Sequence, residues 1–416
     1  MSATQTTTTT TTAPKTHDGR SRFIPLLALG TFALGVDAYV MAGLLPRVSK
    51  DLGISASSAG QMVTVFTLCY ALGGPVFATL LAKRSVKVLL GVALGVFTIG
   101  NALTALAPTL PVLLVARAVA GIGAGVYSPT AAATAAGLTT PERRGRALAT
   151  VMGGLSIGTV IGVPAGMLLA SRIGWRGTLW LITAMGVVAL IAIVRLPKIE
   201  VSPPPPLGRR VRALASGRVA GIVSVSLLGG IASLGLYTYL AEFLLDAAHT
   251  DQTVWAMWAW GAGGILGSLL VGRIVDRTRR PFAAVGWILV LVVAGQFALP
   301  AAAHAAAALA VVPLVIWGAA AWALQVPQQH QLIAAQPEQA TVAVSLNSSA
   351  VYLGSAIGSA LGGLVLGLGT APALLPYCTG ALTVLALVLH LTVVRGAARP
   401  VAARQECQRS TRDLGK

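Results

Sequence analysis

Two charged side chains stand where charge is expensive. Asp37 falls inside the apolar stretch Gly35-Val36-Asp37-Ala38-Tyr39-Val40-Met41-Ala42-Gly43-Leu44-Leu45-Pro46, and Arg117 inside a run that continues to Gly121, Gly123 and Gly125. Of the twelve acidic residues, Asp37 is the only one well inside such a stretch, and Arg117 is the only such basic residue of thirty. A guanidinium in hydrocarbon costs about 2.5 kcal/mol or more, so Arg117 should face a cavity or a partner; snorkelling to the interface is the alternative. An aspartate is far cheaper uncharged in a low-dielectric site, so its protonation should couple to occupancy or access. The alternative there is a structural carboxylate tied permanently to polar neighbours. Counted from Pro46 and Pro111 at 1.5 Å per residue, the two lie ~13 and ~9 Å from the same face of a membrane. A pairing of Asp37 with Arg117 is therefore expected to carry the mechanism.

The elements that would position them follow from composition. The 416 residues carry a formal charge of +18, which alone would suggest a phosphate binder. Yet only 10% of residues are charged, against roughly 25% in soluble domains, and 55% are hydrophobic with a mean hydropathy of +0.79. This composition requires an integral membrane protein. Twelve apolar stretches are long enough to span as helices, near 23–45, 60–81, 87–107, 112–134, 147–170, 178–196, 219–241, 252–272, 282–303, 307–329, 342–367 and 371–394. Only Pro108-Thr109-Leu110-Pro111 separates spans 3 and 4, where two prolines favour a tight hairpin over one long helix. With the N-terminus inside, every Lys and Arg falls on the cytoplasmic side except Arg47, Lys50, Arg117, Arg172 and Arg176, leaving 25 of the 30 there. Both termini are expected in the cytoplasm of a multi-pass cell-membrane protein. The charge is then a record of topology. Basic loops without interleaved aromatics offer no nucleic-acid surface.

The longest hydrophilic interruption, with Pro203–Pro206 and Arg209, Arg210 and Arg212, divides the chain six spans plus six. The expected organisation is a disordered Thr-rich tail over 1–22, a six-helix bundle over 23–196, a cytoplasmic linker over 197–218, a second bundle over 219–394, and a tail over 395–416. The halves echo each other: Gly158, Gly162 and Gly166 recur 196 residues later as Gly354, Gly358 and Gly362, and Pro141-Glu142 as Pro337-Glu338. In span 5 these glycines stand with Pro164. Small residues permit close helix approach, and a proline frees a carbonyl for bending. After span 8 comes Gly272-Arg273-Ile274-Val275-Asp276-Arg277-Thr278-Arg279-Arg280, where Asp276 can tie basic groups and hold one face shut. The first-half counterpart, through Ala82, Lys83, Arg84 and Lys87, lacks the acid and serves as a topology signal.

These blocks resemble the major facilitator superfamily over nearly the whole chain outside the tails. The 272–280 loop resembles the family's G-x-L-x-D-R-x-G-R-R, and Arg117 with Gly121 its R-x-x-x-G. Gly162-Val163-Pro164-Ala165-Gly166 is similar to the antiporter signature, in the G-x-P-x-G form of the chloramphenicol- and arabinose-efflux-like branch. The Asp37 block resembles the first-helix text of drug:proton antiporters there, with Ala38 in place of a second acid. The resemblance implies an all-α fold of twelve transmembrane helices in two six-helix bundles. It also implies proton-coupled export of a small amphiphilic compound, with no cofactor beyond the proton gradient, by a monomer in a lipid bilayer. Asp37 and Arg117 would couple protons, while Gly158, Gly162, Pro164, Gly166, Asp276 and Arg277 would serve gating.

Aromatics with a few amides suit an amphiphilic ligand. Trp317, Trp322, Tyr237, Tyr239, Phe66 and Tyr352 are available, while Tyr39, Tyr70, Gln325 and Asn347 are the substrate-contact candidates. Trp255, Trp258 and Trp287 suit interfaces. No GxxxxGK[ST], HExxH or Cys/His metal spacing occurs, and Cys69, Cys378 and Cys407 are isolated. Other readings stay open: a sugar or metabolite transporter of the same fold, or a membrane-embedded enzyme or sensor using Glu242, Asp246, His249 and Asp251.

Overall fold

The computed structural model describes residues 21–80, 84–140, 143–196, 215–250, 253–278 and 280–392. Lys83, Pro141-Glu142, Asp251, Arg279, most of the 197–218 linker and nearly all of both tails lie outside the described residues, as does the side chain of Asp276.

The described chain is helical and without strands. The elements are α1 (Ile24–Leu52), α2 (Ala56–Leu80), α3 (Val86–Leu106), α4 (Leu110–Gly137), α5 (Arg144–Ile157), α6 (Val163–Val194), α7 (Gly217–Thr238), α8 (Leu240–Ala247), α9 (Val254–Thr278), α10 (Pro281–Ala305), α11 (Val311–Ala323), α12 (Gln325–Ala335) and α13 (Ala340–Gly367), with a last helix, α14, over Pro372–Thr392. Ten helical stretches among the described residues are long and apolar enough to cross a membrane. One of them, Arg144–Val194, contains two crossings. Gly174 holds φ 75° and ψ 166° within α6, and Thr178 Oγ1 donates to Gly166 O at 2.8 Å. Twelve residues along a straight helix would span ~18 Å, so the chain has doubled back. With α2, all twelve predicted spans are helices.

Local chemistry sets the ends. Gly53, at φ 63°, closes α1 with its N–H on Lys50 O, a left-handed cap that only glycine adopts cheaply. Ser85 caps α3 by accepting from the Val88 N–H, and prolines stand in the first turns of α4 and α10. Several spans differ from expectation: span 1 runs through Pro46 to Leu52 rather than 45, and span 8 to Thr278 rather than 272. Span 7 breaks at Tyr239 and resumes as α8, because the Tyr239 hydroxyl donates to Ser359 O at 2.8 Å and its ring fills the slot left by Gly60 and Gly362. Span 10 runs to Ala335 rather than 329. Its polar end, Gln325 to Gln331, is buried against α7 and α10 through Gln328 and Gln331, so low hydropathy did not end the helix.

Glycine brings backbones into contact in the same way twice. A Cβ on Gly158 would meet Phe32 O, Val36 N and Gly35 Cα; one on Gly354 would meet Leu227 O, Ile231 N and Gly230 Cα. The partners are each displaced by 195 residues. The two sets of spans also meet each other near the Gly53 end of the bundle: Ser57 Oγ donates to Gly363 O at 2.5 Å, and Thr64 and Ser359 hydroxyls lie 2.8 Å apart. At that same end Arg176 pairs with Asp51, which also accepts from Trp175 Nε1.

Two outcomes are expected. Gly158→Ala should lose about 1–3 kcal/mol of stability, because no backbone neighbour can yield, while Gly91→Ala, with open space around it, should lose none; thermal unfolding in detergent measures both. The hydrogen bonds from Arg176 and Trp175 hold the Asp51 carboxyl below its usual range. The tie is thus complete above the usual carboxylate range and is lost only as pH falls through that lowered value. Asp51→Asn should therefore leave the shape of the transport pH profile between about pH 5 and pH 8 unchanged.

Candidate functional site

Asp37 and Arg117 meet. Arg117 Nη1 donates to Asp37 Oδ1 at 2.7 Å, and both side chains are wholly buried. The tight glycine contacts of α1 with the 154–166 segment, and of Gly121 and Gly125 in α4 with α2, bring α1 and α4 close enough for this bond. Separating charges from water costs several kcal/mol per ion even after relaxation, so the pair must satisfy itself locally. Two neighbours help. Asn101 in α3 donates its Nδ2 to Asp37 Oδ2 at 3.3 Å and to Phe97 O at 3.1 Å. The Phe66 ring of α2 lies under the guanidinium, 4.1 Å from Cζ to centroid, a cation–π contact strengthened by the burial of both groups. The satisfaction is incomplete: Arg117 Nε and Nη2 and Asn101 Oδ1 are buried without a hydrogen-bond partner.

A second site lies on another face of the same helix. Ala38, Tyr39 and Ala42 of α1 line a narrow cavity with Val63 and Thr67 of α2, Leu234, Tyr237 and Thr238 of α7, and Tyr352 and Ser355 of α13. In this conformation it is closed to about the size of one water molecule. Its walls are aromatic and hydroxylic, with no charged side chain. Tyr39 packs edge-on to Tyr237 at 5.6 Å and lies 6.4 and 6.5 Å from Trp260 and Trp322. Tyr70 stacks on Tyr352 at 3.8 Å. The predicted candidates therefore separate into two groups: Tyr39 and Tyr70 belong to this aromatic assembly, whereas Gln325 accepts from Asn347 Nδ2 at 3.1 Å as a pair of its own.

The gating candidates are placed as follows. Gly158–Gly162 form one π-turn, with the Val163 N–H reaching back five residues to Gly158 O, immediately before Pro164. Gly158, Gly162 and Gly166 face α1, meeting Phe32, Val36 and Val40, so close packing accounts for the glycines and the π-turn for the neighbouring proline. Asp276 and Arg277 lie in the last turns of α9, with the Arg277 side chain exposed. Of the three tryptophans expected at interfaces, Trp258 and Trp287 are exposed, whereas Trp255 is partly buried and packs against the core.

Asn101 and Trp260 belong to the site but are not singled out by the sequence, which offers Phe66 and Tyr237 only as available aromatics. Asn101 could have been noticed as the lone amide in an otherwise apolar span. Trp260 is one of many aromatics, and no spacing distinguishes it. The repeat also reaches the polar layer. Gln296 and Ala232, each 195 residues beyond Asn101 and Asp37, meet through Gln296 Nε2 and Ala232 O at 3.5 Å, while Thr383 donates to Gln296 Oε1 at 2.7 Å. α11 contains no basic residue. The second half thus holds an uncharged copy of the layer.

Comparison with known proteins agrees. The family model for the Major Facilitator Superfamily matches residues 27–359. The uncharacterized MFS-type transporter YbcL of Bacillus subtilis is 32% identical over 82% of this chain and 88% of its own. The chloramphenicol resistance protein of Streptomyces lividans is 31% identical over 91% and 98%. Among solved structures, a bacterial homologue of the human lysosomal transporter Spinster, inward-facing and unoccupied, superimposes with a TM-score of 0.71 at 18% identity, covering 92% of this chain and 98% of that one. The xylose transporter XylE from E. coli, partially occluded and inward open, gives 0.70 at 17%, covering 90% and 98%. The twelve helices, the repeated glycine contacts and these matches together make the chain a multi-pass membrane protein belonging to the Major Facilitator Superfamily, a family of transporters and not of enzymes.

Proposed function

We propose that this transporter exports a small amphiphilic organic compound, of the kind a phenicol antibiotic represents, in exchange for protons entering the cell. The observation that carries the reading is the wholly buried Asp37–Arg117 pair, 2.7 Å apart, on the helix that also lines an uncharged aromatic cavity between the two sets of spans. A proton arriving at Asp37 cancels the charge that holds Arg117, and the guanidinium is left with Phe66 and its unpaired donors. That change would remove the contact that holds α1 to α4 at this depth. The gradient delivers ~2.3 kcal/mol per 100 mV for each charge moved, so no bound cofactor is required.

Tyr39 and Tyr70 would contact the substrate, with Gln325 and Asn347 offering amides to its polar groups. Walls without charge suit a neutral, partly aromatic compound, and the 31% identity to a chloramphenicol resistance protein supports the same class. In this scheme both termini are cytoplasmic, in keeping with the 25 basic residues on that side. The bundles over 23–196 and 219–394 rock about the cavity, joined by the 197–218 linker. The π-turn at Gly158–Gly162 with Pro164 and Gly166 lets span 5 bend, and Asp276 with Arg277 latches the cytoplasmic face.

Chloramphenicol accumulation in cells expressing the protein tests this reading. Accumulation should fall several-fold on expression and recover when a proton uncoupler is added. Asp37→Asn and Arg117→Ala should each abolish the difference while still reaching the membrane. Full uncoupler-sensitive export by either variant overturns the assigned coupling pair. Unchanged accumulation and unchanged susceptibility across antibiotic classes overturns drug export, and leaves a metabolite as the cargo.

A further inference from the structure

Both oxygens of Asp37 are occupied. Oδ1 accepts from Arg117 at 2.7 Å and Oδ2 from Asn101 at 3.3 Å, so the oxygen with the longer contact, to a neutral donor, is the easier one to protonate. The two donors are not equivalent. A guanidinium carries only N–H groups and cannot accept, whereas a carboxamide has a donor end and an acceptor end. The amide orientation is fixed by its surroundings: Nδ2 sits between two acceptors, Asp37 Oδ2 and Phe97 O, while Oδ1 is buried with no partner. An unpaired buried carbonyl costs about 1–3 kcal/mol, and a group held at that cost invites a function.

We propose that Asn101 is the positioning residue that receives the proton-loaded form of Asp37, turning its amide so that Oδ1 accepts from the new Oδ2–H. This rests on Asp37 being the proton site. In the step, hydronium gives its proton to an Oδ2 lone pair: one O–H bond of hydronium breaks, the Oδ2–H bond forms, and water leaves. The N–H···O contact from Asn101 becomes an O–H···O contact to it. Arg117 keeps its place on Oδ1 until loading is complete, which makes Asn101 the entry side.

Other ionisable groups on the elements around α1 lie away from this carboxylate. Arg144 and Arg146 stand at the start of α5, Arg172 and Arg176 flank Gly174, and Glu242 and Asp246 lie in α8. Within α1 itself, Arg47, Lys50 and Asp51 occupy the far end. Tyr127 of α4 donates to Leu27 O, and Tyr70 of α2 stacks on Tyr352, as Tyr39 packs on Tyr237. Arg117 is thus the charged group described against Asp37. The second half supplies a comparison: Gln296 occupies the matching position but faces a backbone carbonyl, and its Oε1 is satisfied by Thr383.

Infrared titration of the full-length protein in lipid bilayers, with protons as the only ligand, reads this directly. The protonated carboxyl band that disappears in Asp37→Asn reports loading. In Asn101→Leu, which removes the acceptor that the loaded carboxyl would use, the midpoint of that band should move to lower pH by about one unit or more, a tenfold change in proton concentration, whereas Asn101→Asp, which still offers an acceptor, should not lower it; a higher midpoint in Asn101→Leu, as loss of the Nδ2 donor alone would give, overturns the turned amide. Asn101→Asp keeps the side-chain shape and so separates loss of the acceptor from loss of packing. An unchanged midpoint in both variants overturns the role of Asn101 while leaving Asp37 as the proton site. Absence of any Asp37-dependent band in the unmodified protein between about pH 4 and pH 9 overturns the proton-site reading and this inference with it.

Discussion

A charge pair taken fully out of water governs the architecture around it. Neither Asp37 nor Arg117 could remain in the interior alone, because the desolvation of an isolated ion exceeds what packing returns. Their joint burial fixes how α1, α3 and α4 sit, since a 2.7 Å contact tolerates little sliding of its parent helices. It also explains why so many close backbone approaches surround the pair. Gly35 against Leu155, Gly100 against Ala120 and Gly123 against Phe97 draw the helices in until the side chains reach one another.

α1 carries two different surfaces within three residues. Asp37 turns towards α3 and α4, while Ala38 and Tyr39 turn towards the cavity shared with α7 and α13. The ion and the organic molecule in this scheme would meet the same helix on separate faces and would not compete for one carboxylate. Coupling would then be mechanical, through the position of α1, and the glycine-lined seam with the 154–166 segment is the surface along which that helix can move. The π-turn beside Pro164 lies on that seam, where one loosened helical turn costs least.

Much of the fold was legible in the chain. Hydropathy and the distribution of Arg and Lys sufficed for twelve helices, because a membrane leaves the backbone no alternative to helix and because charge is excluded from spans. The turn at Pro108–Pro111 was readable from proline chemistry alone. Counting helical rise from Pro46 and Pro111 put Asp37 and Arg117 level, although α1 runs on through Pro46 to Leu52; their meeting could not be read, since position along a helix says nothing of its rotation about the axis. The same ignorance hid Asn101 and Trp260, which are ordinary residues until neighbouring helices are placed. The break at Tyr239 was hidden for another reason: it is imposed by a slot that Gly60 and Gly362 leave in two other helices, far apart in sequence. The extra length of span 10 was masked by Gln328 and Gln331, polar residues whose amides are used internally.

The uncharged copy of the polar layer has a consequence for how such a chain can change over evolutionary time. Gln296, Thr383 and Ala232 close on one another, so the second half is free of the constraint that ties Asp37 to Arg117. Tyr237, Trp260, Trp322 and Tyr352 all come from that half. In the proposed scheme, mutations there would reshape what is recognised without touching Asp37 or Arg117. Both halves would shape the cargo site, Tyr39 and Tyr70 from the first and Tyr237 and Tyr352 from the second, but only the first half would also carry the proton, so the second is the half in which a change of cargo leaves the charge pair untouched.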